Sequence, residues 1–151
     1  MKNVEELMSV FGKLKKLNPN ISLGGSVAAH LQGAGYRDEA KDLDIVLNKG
    51  AMSIALPEGA RVLLPLDPKY PANHLIYRVI VDGVKVDILK EIEGATTAKG
   101  YHAQCEFFTM SSVDSIVSAK LEYIRSFKTS ESAKDKHSKD IVKMMSKVMY
   151  Y

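Results

Sequence analysis

The chain has 151 residues, of which 46% are hydrophobic and 26% charged, and its formal net charge is +3. This composition is typical of a globular protein, and the length favours a single domain over residues 1–151. No apolar run reaches the roughly 20 residues of a membrane span and the N-terminus has no signal-peptide core, so we expect a cytoplasmic protein without a membrane partner.

The first third of the chain predicts two helices and two strands in alternation. Apolar residues at three- and four-residue spacing predict a helix over residues 3–17, which the following Asn-Pro-Asn ends. Residues 21–23 are a short apolar run typical of a strand, and Ser26 is placed to cap a helix over residues 26–32. The β-rich run at 43–47 predicts a central strand.

The middle of the chain carries the clearest local signal, a β-hairpin. The runs "HLIYRVIV" and "VKVDILK" flank Asp82-Gly83, a pattern that predicts a tight hairpin with a type I′ turn. Upstream of it, "RVLLPL" at 61–66 favours a strand, and the prolines of residues 67–73 predict a loop.

The C-terminal part predicts two helices after an irregular segment. Residues 93–104 show no regular pattern, and helices are expected over 112–127 and 139–150, joined by the polar stretch "KTSESAKDKHSK". The sequence therefore predicts an α/β (α+β) fold. Helices would pack on a mixed sheet of about five strands, with a core region over residues 21–90 and C-terminal helices over 112–150.

Three aspartates lie within apolar strands. Asp42 and Asp44 occupy alternate positions of one strand, so both side chains point to the same face, with Cα atoms roughly 7 Å apart. Asp87 repeats the pattern in the second strand of the hairpin. Clustered carboxylates repel, and their placement makes sense if cations lie between them. Three acids can hold two Mg²⁺ ions, or Mn²⁺, about 3.5–4 Å apart for in-line phosphoryl displacement.

A glycine-rich turn precedes the first two acids. Gly24, Gly25 and Ser26 lie at the end of a strand, just before a helix. Glycines let the backbone approach a phosphate closely, the helix N-terminus presents N–H groups, and the serine adds a hydroxyl donor. These three residues are therefore predicted to bind the phosphates of a nucleotide.

The order of "LGGS", "DLDIV" and "VDIL" resembles the nucleotidyltransferase superfamily typified by DNA polymerase β. The resemblance covers about residues 21–90 and, more weakly, the C-terminal helices. It implies transfer of a nucleoside monophosphate from an NTP, with ATP a candidate, to an acceptor hydroxyl with release of pyrophosphate. By this resemblance Asp42 and Asp44 would bind both metal ions, and Asp87 would bind one and help to activate the acceptor.

Several branches of the superfamily share parts of the pattern. "GGSVAAHLQG" followed by "KDLDIV" is similar to the opening of tRNA CCA-adding enzymes, although Ala28 and Ala29 stand where that family has Arg-Asp. The spacing from the serine to the first acid resembles that of toxin–antitoxin-type and aminoglycoside nucleotidyltransferases. By the same resemblance Arg37 is a candidate triphosphate contact, and Lys120 matches the helical lysine that contacts the nucleotide in the toxin-type group, with Lys139 and Asp140 weaker matches.

Other functions remain open at this point. The chain could be a degenerate nucleotidyltransferase fold that acts as a nucleotide-binding or interaction module, or a Mg²⁺-dependent phosphohydrolase or nuclease. The acceptor could be a tRNA 3′ end, a protein hydroxyl or a small molecule, and neither the preferred base nor the oligomeric state follows from the residues. Cys105 is the only cysteine, which excludes an internal disulfide and a thiolate zinc cluster.

Overall fold

The computed structural model describes residues 2–34, 39–48, 51, 53–63 and 74–149. The described helices are α1 (Val4–Leu17), α2 (Gly25–Leu31), α3 (Val113–Arg125) and α4 (Glu131–Met149). The described strands are β1 (Lys2–Asn3), β2 (Ile21–Leu23), β3 (Glu39–Ala40), β4 (Asp42–Leu47), β5 (Arg61–Leu63), β6 (Leu75–Val81), β7 (Val84–Lys90), β8 (Thr97–His102) and β9 (Glu106–Ser111). Arg37, the predicted loop and the last part of the predicted 61–66 strand lie outside the described residues.

Seven of these strands form one mixed sheet in the order β5-β6-β7-β4-β2-β9-β8, while β1 and β3 pair with each other. The central strand β4 runs parallel to β7 and antiparallel to β2. The predicted α/β (α+β) fold with a mixed sheet is therefore confirmed, but the sheet has seven strands where about five were expected.

The β6–β7 hairpin agrees with its sequence pattern. Asp82 and Gly83 both have positive φ, at 51° and 77°, as a type I′ turn requires. A two-residue turn fixes the register of the two strands, so that Val81 pairs with Val84. The register of this hairpin decides which side chain lies opposite Asp87.

The β8–β9 hairpin corrects the prediction that residues 93–104 are irregular. Thr97–His102 pairs antiparallel with Glu106–Ser111 at one edge of the sheet. Because β8 is an edge strand, its side chains are exposed or half-buried, and "TAKGYH" carries no apolar run. Gly100 lies beneath Phe108, since an added Cβ would come within 2.8 Å of the Phe108 ring.

Helix α4 begins earlier than its apolar pattern indicates. It starts at Glu131 rather than at residue 139, so the polar stretch that was predicted to join two helices forms its first turns. Ala133, His137, Asp140 and Met144 are buried at 4-3-4 spacing, as one face of a helix packed along α3. Because two of these four residues are polar, the buried face does not show as an apolar periodicity in the sequence. None of the described helices combines the length and apolar character needed to cross a bilayer.

The main core lies between α1 and one face of the sheet. Leu43 and Ile45 of β4 are fully buried in the same cluster as Leu7 and Phe11 of α1. Phe11 meets Phe108 of β9 edge to face, with ring centroids 5.5 Å apart. Because side chains alternate along β4, the burial of these apolar residues sends the aspartates between them to the opposite face.

Candidate active site

The three predicted acids lie on one face of the sheet, which we call the acid face. Asp44 pairs with Asp87 across the parallel strands β4 and β7, and Asp42 pairs with Lys85. Asp42 is two residues from Asp44 and therefore shares its face. Asp87 is fully buried, while Asp42 and Asp44 are half-buried. The strand register thus brings the three carboxylates to neighbouring positions.

Arg78 of β6 completes this group of charges. It pairs in register with Asp87, so it lies on the acid face as well. Its Nε donates to Asp87 Oδ1 at 2.5 Å and its Nη2 donates to Asp87 Oδ2 at 3.0 Å. Nη2 also lies 4.0 Å from Asp42 Oδ2. The fork of the guanidinium therefore compensates the charge of a carboxylate that water does not reach.

The glycine turn lies directly against Asp44. The N–H of Gly24 donates to the main-chain carbonyl of Asp44 at 2.8 Å. Gly25 has φ +63°, and a Cβ there would overlap the Asp44 carboxylate, so only glycine permits this approach. The expectation that Ser26 caps α2 is wrong, because Gly24 is the N-cap and Ser26 follows as the second helical residue.

A cleft opens beside Asp44 and Gly25 and is walled on its other side by α3 and α4. Lys120 lines it, with its side chain only 14% exposed and its Nζ donating to Asp140 Oδ2 at 3.1 Å. The resemblance made Lys120 a candidate contact to the nucleotide. In the structure, an ion pair between the two helices holds its ammonium in the cleft wall.

Tyr123 forms part of the same wall, one turn after the lysine on α3. Its ring meets His74 edge to face at 5.3 Å and His137 at 5.2 Å between centroids. Burial, followed by the negative charge of Asp44 and of further nearby carboxylates, raises the pKa of Tyr123 above its usual range. The phenol therefore stays neutral and presents a polar group to the negatively charged side of the cleft.

The donor chemistry of the acid face fits a divalent cation. Within the described ranges, no group of three or more His, Cys, Asp or Glu side chains forms a ready-made metal cage. Mg²⁺ is, however, often bound by one or two carboxylates together with substrate phosphates, and Asp42 and Asp44 offer such oxygens. The Asp87 oxygens accept from Arg78, but each carboxylate oxygen has a second lone pair.

Sequence reasoning missed Arg78, although a signal was present. Around the two-residue turn Asp82-Gly83, Val81 pairs with Val84, and counting outward by three places Arg78 opposite Asp87. An arginine inside an apolar strand and directly across from a buried acid indicates an ion pair. Tyr123 gave no comparable signal, because an aromatic residue on an amphipathic helix is most often a packing residue.

Comparison with known proteins supports the fold. No protein-family model and no curated protein matches the sequence. The structure is similar to ANT(2″)-Ia in complex with adenylyl-2″-tobramycin, at 13% identity and TM-score 0.60 over 96% of this chain and 88% of that one. It is also similar to an antigenic nucleotidyltransferase-like protein from Paracoccidioides brasiliensis, at 14% identity and TM-score 0.57 over 96% and 78%. The chain therefore shares the fold of these two structures.

Proposed function

We propose that this protein transfers a nucleoside monophosphate from an NTP to an acceptor hydroxyl and releases pyrophosphate. The observation that carries the proposal is the pairing of Asp44 with Asp87 across parallel strands, with the glycine turn packed on Asp44 at the edge of a cleft. The likeness to two nucleotidyltransferase-type structures supports the same reaction class.

The proposed cofactor is Mg²⁺, with Mn²⁺ as a substitute, held by Asp42, Asp44 and Asp87 together with phosphate oxygens of the substrate. When bound, the ions would neutralise the developing charge on the phosphates and lower the pKa of the acceptor hydroxyl. Arg78 keeps the Asp87 carboxylate in one orientation through its bidentate contact. Asp87, held in this way, would act on the acceptor side of the reaction.

Gly24, Gly25 and Lys120 would bind the nucleotide. The backbone of Gly24 and Gly25 can approach the phosphates because neither residue carries a side chain. Lys120, which lines the cleft on the opposite wall, would supply a positive charge to the triphosphate. Its ion pair with Asp140 holds the ammonium in place before the nucleotide arrives.

The test is a transfer assay with each NTP labelled at the α-phosphate, Mg²⁺ and a cell extract, with pyrophosphate release measured in parallel. We expect label in one acceptor fraction, loss of transfer in Asp44→Asn, and full transfer in the control Asp82→Asn, which alters an exposed turn and its exposed ion pair with Lys13. Release of labelled nucleotide to water with no labelled acceptor would indicate a phosphohydrolase instead. NTP binding without any turnover would indicate a degenerate binding module.

A further inference from the structure

The β8–β9 hairpin continues the acid face to one edge of the sheet. Leu23 of β2 pairs with Ile45 on one side and with Met110 on the other, so these three residues share the core face. Along each strand, the residues that alternate with these core-face residues point to the opposite face, which is the acid face. On β8 and β9 that face carries six side chains, which we call the hairpin face: Thr97, Lys99, Tyr101, Phe107, Thr109 and Ser111.

Two aromatic rings stand exposed on the hairpin face. Tyr101 and Phe107 are cross-strand partners whose ring centroids lie 5.0 Å apart, and they are 63% and 75% exposed. The next residue along β9, Phe108, points the other way and is buried in the core. Core packing therefore accounts for Phe108 but not for this exposed pair.

The surroundings of the two rings are polar rather than apolar. The other four side chains of the hairpin face are two threonines, one serine and the exposed Lys99, and none of the six is acidic. A protein–protein interface buries a contiguous apolar centre, which this face does not offer. Aromatic rings beside a cation, on an otherwise polar sheet face, are the arrangement that stacks nucleic-acid bases and contacts their phosphates.

The hairpin face leads into the cleft. Ser111 lines the cleft beside Gly25 and Asp44, and Phe107 lies on the same strand and the same face. Tyr101 is four residues, about 13 Å, along β8 from Thr97. Three strand spacings, about 14 Å, separate β8 from β4. The rings thus lie roughly 20 Å from Asp44, a separation that a few nucleotides span.

We propose that the hairpin face binds single-stranded nucleic acid, with bases stacked on Tyr101 and Phe107 and a phosphate on Lys99. We further propose that the hydroxyl-bearing end of that strand, extended along Ser111 to the acids, is the acceptor. The second part rests on the proposed nucleotidyl transfer; binding by the hairpin face does not depend on it. RNA and DNA single strands share the recognised chemistry.

The experiment measures fluorescence polarisation of labelled single strands of about ten nucleotides, one RNA and one DNA, with a duplex of equal length for comparison. We expect the single strands to bind more tightly than the duplex, and Tyr101→Ala/Phe107→Ala to weaken binding by about tenfold or more. Phe127→Ala is the matched control, since that ring is 88% exposed and belongs to the connection between α3 and α4 rather than to the hairpin face. It should leave affinity unchanged. Lys99→Gln should lower the salt dependence by about one unit of slope.

Equal affinity of the double variant and the parent, with both folded by thermal melt, would overturn the proposal. So would self-association of the parent that the double variant loses, because the rings would then form an interface between copies. Pyrophosphate release with each strand as acceptor separates the two proposals. Binding by the hairpin face without release would count against the strand as the acceptor, and the transfer assay with a cell extract would then decide on nucleotidyl transfer itself. Undiminished transfer to a strand in the double variant would count against the hairpin face alone.

Discussion

At the scale of single residues, the ion pair between Arg78 and Asp87 is a buried interaction of the site. Asp87 is fully buried and Arg78 donates to both of its oxygens. Removing one partner of a buried pair leaves an uncompensated charge, so Arg78→Ala should lower the free energy of unfolding by about 3–5 kcal/mol. Urea denaturation measures this change.

The matched control for Arg78 is Lys13→Ala. Lys13 pairs with Asp82, but both side chains are 53% exposed, so the loss should be about 1 kcal/mol or less. Arg78→Lys should fall between the two, because lysine keeps the charge and loses the bidentate geometry. Equal effects of Arg78→Ala and Lys13→Ala would show that the pair contributes nothing as a buried unit.

Gly25→Ala tests the contact between the glycine turn and Asp44. The variant is expected to lose about 1–2 kcal/mol of stability for its positive φ and, in addition, to displace the Asp44 carboxylate, which abolishes Mg²⁺-dependent NTP binding. Gly59→Ala is the control, since φ there is +84° and nothing lies within 4 Å of the added Cβ. Titration calorimetry with an NTP should show retained binding for Gly59→Ala only. Retained binding in both would remove Gly25 from the site.

At the scale of elements, α3 and α4 form one wall of the cleft because a buried ion pair joins them. Lys120 on α3 and Asp140 on α4 have side chains only 14% and 10% exposed, and they lie in two helices that the sequence predicts separately, over 112–127 and 139–150. The pair thus depends on helix packing that the local sequence does not reveal.

Lys120→Ala should weaken NTP binding by about 1–3 kcal/mol, the range for hydrogen bonds to charged groups. The physical reason is that the lysine lines the same cleft as Gly25 and Asp44, where its ammonium could contact the triphosphate. Lys128→Ala, between the two helices, should leave affinity unchanged. Calorimetric Kd values for the parent and both variants decide the matter, and a Kd unaltered in Lys120→Ala would restrict the lysine to a structural role between helices.

At the scale of the whole molecule, stability should fall on mild acidification because of His74. Burial lowers the pKa of His74 below 6.5, and the carboxylate of Glu122 only partly opposes this shift. As pH falls below 6.5 the unfolded chain takes up a proton that the folded protein resists, so the folded state loses stability until its own lowered pKa is passed.

The prediction for His74 concerns the difference in pH dependence of stability between the parent and His74→Gln. Between about pH 7.5 and about pH 5.5, the parent should lose more free energy of unfolding than His74→Gln, which has no imidazole to protonate. Urea denaturation at each pH measures both. Identical losses in the two proteins would show that the histidine does not contribute to the pH dependence.

The sequence by itself determined the features that depend on neighbours along the chain. The type I′ hairpin follows from Asp82-Gly83, and the shared face of Asp42 and Asp44 follows from strand alternation. The order of "LGGS", "DLDIV" and "VDIL" also indicated the fold that the chain shares with the two similar structures. Each of these needs only local geometry or the order of motifs, which the chain carries directly.

The tertiary structure alone decided what depends on partners distant in sequence. It set Asp44 beside Asp87 through the parallel pairing of β4 with β7, which no local pattern specifies. It made "TAKGYH" an edge strand and the polar start of α4 a helix, because pairing and packing outweigh weak propensity. It also left Tyr101 and Phe107 exposed, since only the finished sheet determines which face of a strand the core covers.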